Sequence, residues 1–134
     1  MKTSALIIAF LFFWPFGGGK TFRMVASRDV PAAHGSVIVK KDTKNHNVDL
    51  TVKVRDLAKP ATLTPPEDVY IVWVEPRDAP PQKEGAIEVS GNSLQGQLTA
   101  TTTARQFKLV ITAEKSLSAN QPSSRQVLWA DVSP

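Results

Sequence analysis

The chain has 134 residues, 16 basic against 12 acidic, 10 prolines and no cysteine. That length suits one domain. The missing cysteines exclude a disulfide scaffold, a thiolate zinc site, an iron–sulfur cluster, a cysteine nucleophile and a cysteine-linked lipid anchor, and a hydrophobic content of 42% excludes a disordered chain.

The N-terminus carries the strongest local signal. Lys2 precedes an uncharged apolar run over residues 5–16, and Gly17, Gly18 and Gly19 follow it. A positive start, a short apolar stretch and small residues at its end describe a secretory signal peptide. Gly17 and Gly19 would occupy the small positions before a cut, leaving Lys20 as the new N-terminus. A membrane span needs roughly 20 apolar residues; this run is shorter and contains Pro15. An uncleaved anchor is the alternative, and the chain's one expected route to a membrane. Loss of Lys2 leaves 15 basic against 12 acidic residues, a net charge of +3. The basic residues are scattered, with Lys40-Lys41 the one adjacent pair after the signal segment. Nucleic-acid binding usually shows a basic stripe, so none is expected. The expected location is periplasmic or secreted.

Beyond residue 19 the chain reads as strands. Residues 20–33 suggest a loosely attached leader with an edge strand over 22–26, and 34–134 a single β domain. Residues 35–41 form the next run. Val48, Leu50, Val52 and Val54 then alternate with polar residues, the pattern of a half-buried strand. Residues 69–74 are apolar at every position, so both faces must be covered, as in a central strand. Shorter runs follow at 86–90 and 94–102. Phe107, Leu109, Ile111 and Ala113 restore the alternation, and 125–132 closes the series. Asp and Asn at 42–47 supply turn chemistry, and Ser90-Gly91-Asn92-Ser93 reads as a hairpin turn. The proline-bearing stretches 59–66 and 76–81 read as connections, since proline cannot donate to a ladder. These runs predict an all-β, antiparallel, two-sheet immunoglobulin-like sandwich of about seven to eight strands. A small closed barrel is the alternative.

Tyr70-Ile71-Val72-Trp73 follows the proline-rich approach 57–66. Gly85-Ala86-Ile87 comes next, then Phe107 leading into Ile111-Thr112-Ala113-Glu114. This order, over residues 47–115, resembles the extracytoplasmic C-terminal domain of anti-sigma-K factors. That family has a Tyr-x-x-Trp strand, a glycine-led strand and a Thr-x-Glu-Pro segment. Lys115 stands where the family has proline. The sequence is also similar to small exported bacterial proteins of unknown function. The resemblance implies a β-sandwich and an extracytoplasmic location. No segment here reads as the family's cytoplasmic N-terminal domain or membrane helix, so sigma-factor binding is not implied.

No catalytic constellation stands out. His34 and His46 are the two histidines. A triad around His46 with Asp42 or Asp49 lacks the Gly-x-Ser-x-Gly elbow. Asp42, Asn45, Asn47 and Asp49 offer oxygens for calcium, but in the spacing of a turn. His34, His46 and Met24 would have to converge from separate strands to hold copper. Glu75, Asp78, Glu84 and Glu88 are interspersed with Arg77 and Lys83, as in a solvated loop. No cofactor is expected. Tyr70 and Trp73 should point to opposite faces, with Trp73 in the core and Tyr70 under the proline loops. Residues 99–103, with Gln95 and Gln97, suggest a polar β-face for a flat partner or for water.

The sequence therefore predicts a non-enzymatic binding or interaction module, with a protein or an envelope component as partner. Its candidate surface joins loops 60–67 and 77–84, with Pro65, Pro66, Tyr70, Arg77, Pro80 and Pro81, and adds Trp129. A self-assembling homo-oligomeric subunit that donates residues 20–33 as a strand is the alternative. An extracytoplasmic hydrolase ranks last.

Overall fold

The computed structural model describes residues 19–134. The signal segment read at 1–19 lies outside the described residues, Gly19 apart. Nine strands follow: β1 (Lys20–Arg23), β2 (Val25–Ala26), β3 (His34–Asp42), β4 (Asn47–Arg55), β5 (Val69–Pro76), β6 (Gln82–Ile87), β7 (Gly96–Thr102), β8 (Phe107–Glu114) and β9 (Gln126–Val132). They form two antiparallel sheets, ordered β1-β3-β4-β7 and β2-β9-β8-β5-β6. The chain lays β3 and β4 in the first sheet and β5 and β6 in the second. It returns for β7, then finishes the second sheet with β8 and β9. This is the antiparallel two-sheet sandwich expected from the strand pattern. Among the described residues no helix is long and apolar enough to cross a membrane.

The strand count exceeds the expected seven to eight because the 22–26 run is two strands. Lys20–Arg23 pairs with β3, whereas Val25 and Ala26 pair with Trp129 and Leu128 of β9. The chain changes sheets at Met24. Nor is 20–33 a loose leader, since it edges both sheets and buries Val30 and Ala33 in the core.

The inner faces meet in one apolar cluster. The first sheet supplies Val37, Val39, Val48, Leu50, Val52 and Val54, and the second supplies Tyr70, Val72, Val74, Leu109, Ile111 and Leu128. The alternation read in β4 is reproduced in its burial. Interior β5 is covered on both faces, but β8 holds the middle of its sheet.

Three expectations are corrected. First, β6 begins at Gln82, directly after Pro81, not at residue 86. Its period is broken by a bulge opposite Val72 and Trp73, where Gly85 takes a φ of 143°. That conformation is open to glycine and disguises the strand in the sequence. Second, the turn at 90–93 does not join sheet neighbours. It is closed by a Ser90–Gln95 bridge, but β6 and β7 lie in different sheets.

Third, Tyr70 and Trp73 do face opposite ways, with the assignment reversed. Tyr70 fills the core and donates its hydroxyl to the Ala58 carbonyl. Trp73 and Ile71 lie on the outer face of the second sheet, yet both are fully buried. The Trp73 indole donates to Thr112 Oγ1 at 2.8 Å, and that hydroxyl donates to Glu114. Glu114 also accepts from the Ser123 amide at 2.9 Å. Lys83 passes 6.0 Å from the Trp73 ring centre and donates to the Leu117 carbonyl. These bonds tie loop 115–124 to the face that carries Trp73.

Candidate functional site

The site begins from strand register in the first sheet. With Val48, Leu50, Val52 and Val54 turned inward, Asp49, Thr51, Lys53 and Arg55 face outward. Antiparallel pairing sets Arg23, Ser36, Lys53 and Gln97 in one cross-strand row. Thr21, Ile38, Thr51 and Thr99 form the next row, and His34 lies opposite Arg55 on the other side. Adjacent strands lie about 4.8 Å apart, and alternate residues in one strand about 7 Å apart. The backbone thus sets Arg23, His34, Lys53 and Arg55 within about 10 Å of their nearest neighbours in the group.

These four side chains line a groove of about 460 Å³, together with Thr21, Ser36 and Gln95. No aspartate or glutamate lines it. Arg55 lies 3.7 Å from Asp56, with both side chains largely exposed, so solvent screens that pair. The groove therefore gathers donors and positive charge in a lining that also includes Met24, Ala33 and Val54. Arginine offers a planar fork to carboxylate, sulfate or phosphate oxygens, and lysine a point charge. None of the aromatic side chains among the described residues joins this face. Phe22, Tyr70 and Phe107 pack on the core, while Trp73 and Trp129 belong to the second sheet.

The residues singled out in the sequence fall elsewhere. Pro65 and Pro66 are exposed in loop 56–68, which enters β5. Arg125 clamps that loop by donating to the Thr64 and Pro65 carbonyls, and pairs with Glu67 at 3.1 Å and Asp29 at 3.3 Å. Lys115 adds a bond to the Pro66 carbonyl at 2.9 Å. Arg77, Pro80 and Pro81 follow the other end of β5, and a strand of that length spans about 24 Å. The two proline loops therefore do not form one surface. Tyr70 is fully buried and is unavailable to a partner. Trp129 is half-buried on the outer face of the second sheet, in a row with Val25, Val110, Trp73 and Lys83. The Lys108 ammonium sits 4.9 Å from the Trp129 ring centre.

Other candidates are occupied by structural tasks. The Asp42 carboxylate accepts from the Lys44 and Asn45 amides and from the Asn45 side chain at 2.9 Å. The Asn45 side-chain bond leads the effects that hold the Asp42 carboxyl below its ordinary value. His46 is exposed in the same turn at a φ of 59°. Burial raises the Glu84 carboxyl. Among the described residues no group of three or more histidines and carboxylates is placed to hold a metal ion. A second groove, of about 450 Å³, has mixed charge, with Glu75 and Asp131 beside Arg77 and Lys108.

The cationic groove was not visible in the sequence. Lys53 and Arg55 are alternate residues of β4, but Arg23 and His34 lie far from them along the chain and reach them through register alone. The usable signal was parity: His34 and Ser36 fall out of phase with Val37 and Val39, and Lys53 and Arg55 with Val52 and Val54. No protein-family model matches the chain, and no curated protein matches it.

Proposed function

We propose that the protein is an extracytoplasmic, non-enzymatic binding module that takes an acidic polysaccharide on the outer face of its first sheet. The observation that carries this reading is the groove lined by Arg23, His34, Lys53 and Arg55 without a carboxylate. The flanking Thr21, Ser36, Thr51, Gln97 and Thr99 supply hydroxyl and amide groups suited to sugar hydroxyls. Single-stranded nucleic acid is disfavoured, because such sites stack bases on aromatic rings and this face has none. The signal-like N-terminus and the resemblance over residues 47–115 support an extracytoplasmic setting.

Titration calorimetry with a sulfated or uronic-acid glycan, at low and high salt, tests the reading. Binding should weaken as salt rises. Arg23→Glu or Lys53→Glu should lower affinity by about tenfold or more, while Lys108→Glu on the opposite face should leave it unchanged. Equal losses from all three variants would reject the groove. Tighter binding to an oligonucleotide of matched charge would reject the ligand class.

A further inference from the structure

The four sheet edges are treated differently. Edge β1 carries Lys20 and Arg23. Edge β2 is two residues long. Edge β6 carries Lys83 and Glu84 and is bulged. Charge, brevity and bulges are the usual protections against pairing with another chain. Edge β7 has none of them. From Val89 to Ala104 the sequence holds no charged residue and no proline, and β7 pairs with β4 in unbroken register.

Segment 88–90, which continues its neighbour β6, borders only the start of that edge, where Ser90 and Gln95 exchange backbone bonds. β6 meets β7 through inward-facing positions. Thr102 donates to Gln82, Leu98 lies over Gly85, and a Cβ on Gly96 would stand 2.3 Å from the Glu88 carbonyl oxygen. Beyond Gly96, the backbone groups of Gln97, Thr99 and Thr101 have no backbone partner among the described residues other than in the β4 ladder.

We propose that β7 pairs with β7 of a second copy of this chain, antiparallel and centred on Thr99. The strand is suited to meeting itself. A two-fold axis at Thr99 sets Thr99 against Thr99, Gln97 against Thr101 and Leu98 against Ala100. No like charges oppose one another, and threonine pairs favour such a contact. The product is a continuous eight-stranded sheet built from two four-stranded ones. Because the axis is normal to the sheet, both cationic grooves open on the same face. A long acidic polymer would then be held at two points, with the avidity that linkage provides. Pairing itself does not depend on the groove's ligand. The donated-strand form of assembly is replaced here, since residues 20–23 and 25–26 are paired within their own sandwich.

Sedimentation of the purified protein from micromolar to submillimolar concentration is the test. The mass should rise to twice that of one chain. Thr99→Lys sets two like charges face to face and should hold the protein at the mass of one chain. Mixing the Thr99→Lys and Thr99→Glu variants should restore the dimer. Thr99→Cys introduces the sole thiol of the chain and should cross-link to itself on mild oxidation, much faster than Asp49→Cys. Thr99 is exposed, and circular dichroism will confirm that each variant folds. A single-chain mass at every concentration would overturn the proposal, as would a Thr99→Lys dimer of unchanged strength. Sedimentation and sulfate binding of the Arg23→Glu variant, altered on the far edge from β7, separate the two readings: it should lose sulfate binding and still reach the mass of two chains, and a single-chain mass beside intact sulfate binding by the unaltered protein would overturn the pairing alone.

Discussion

The two outer faces of this sandwich share an architecture but differ in character. On the first sheet, β1, β3, β4 and β7 present Thr21, Arg23, Lys53, Thr99 and their neighbours directly to water. On the second, Ile71, Trp73, Val110 and Thr112 are fully buried although they point away from the core. The difference lies in what the connections do. Loop 115–124 is bonded back to Lys83 and Glu114 across the second face, whereas no comparable tie crosses the first. A sheet face rich in tryptophan and branched residues needs such a cover to escape water. A face of threonine, serine and basic residues does not, and stays open to water.

The comparison breaks most readily at Trp73. Trp73→Ala should cost about 3–5 kcal/mol in urea unfolding, the usual loss for a buried aromatic. Thr51→Ala, at an outer position of the first sheet, should change stability by less than about 0.5 kcal/mol. Similar effects at the two positions would mean that Trp73 is not a buried support.

Next comes the clamp beside the second sheet. Arg125 and Glu67 keep 16% and 12% side-chain exposure, and Arg125 also holds two loop carbonyls. Arg125→Ala leaves Glu67 largely buried without its guanidinium partner. The expected loss is about 2–4 kcal/mol, with amide exchange accelerating in loop 56–68. Protection unchanged in that loop would argue against the clamp.

The core between the faces carries a pH signature. Burial pushes the Tyr70 hydroxyl up to about 12 from its ordinary 10. As pH rises past 10 the unfolded chain releases this proton before the folded chain does. Stability is therefore full below pH 10 and falls between about pH 10 and 12, by on the order of 2 kcal/mol. Tyr70→Phe should flatten that decline. A decline of the same slope in the variant would assign it to other groups.

The smallest contrast is between two lysines. Lys108→Ala removes the ammonium over Trp129 and should cost about 0.5–1 kcal/mol. Lys53→Ala should be silent in stability and visible in glycan binding. Thermal melts and calorimetry on the same samples would separate these effects.

Part of this was readable from residue order. The alternation at 48–54 gave β4 and its inward face. The apolar run at 69–74 required cover on both sides, and Ile71 and Trp73 do have it. What the run could not show was which face meets the other sheet, because Tyr70 and Trp73 are both large enough to anchor a core. Chain order placed loops 60–67 and 77–84 on either side of one strand, and that very strand holds them apart. The 22–26 run looked continuous because period 2 is the same whichever sheet a residue joins.

Sequence alone determined that this is an all-β chain with no thiol chemistry, and where most strands lie. Those properties reside in composition and in a period of two. Tertiary structure decided which basic residues become neighbours. Antiparallel register brings together positions as distant as Arg23 and Lys53, and no local pattern encodes that distance. It also decided that β7 would be an edge, turning the polar run read at 95–103 into an edge strand without charge, proline or bulge.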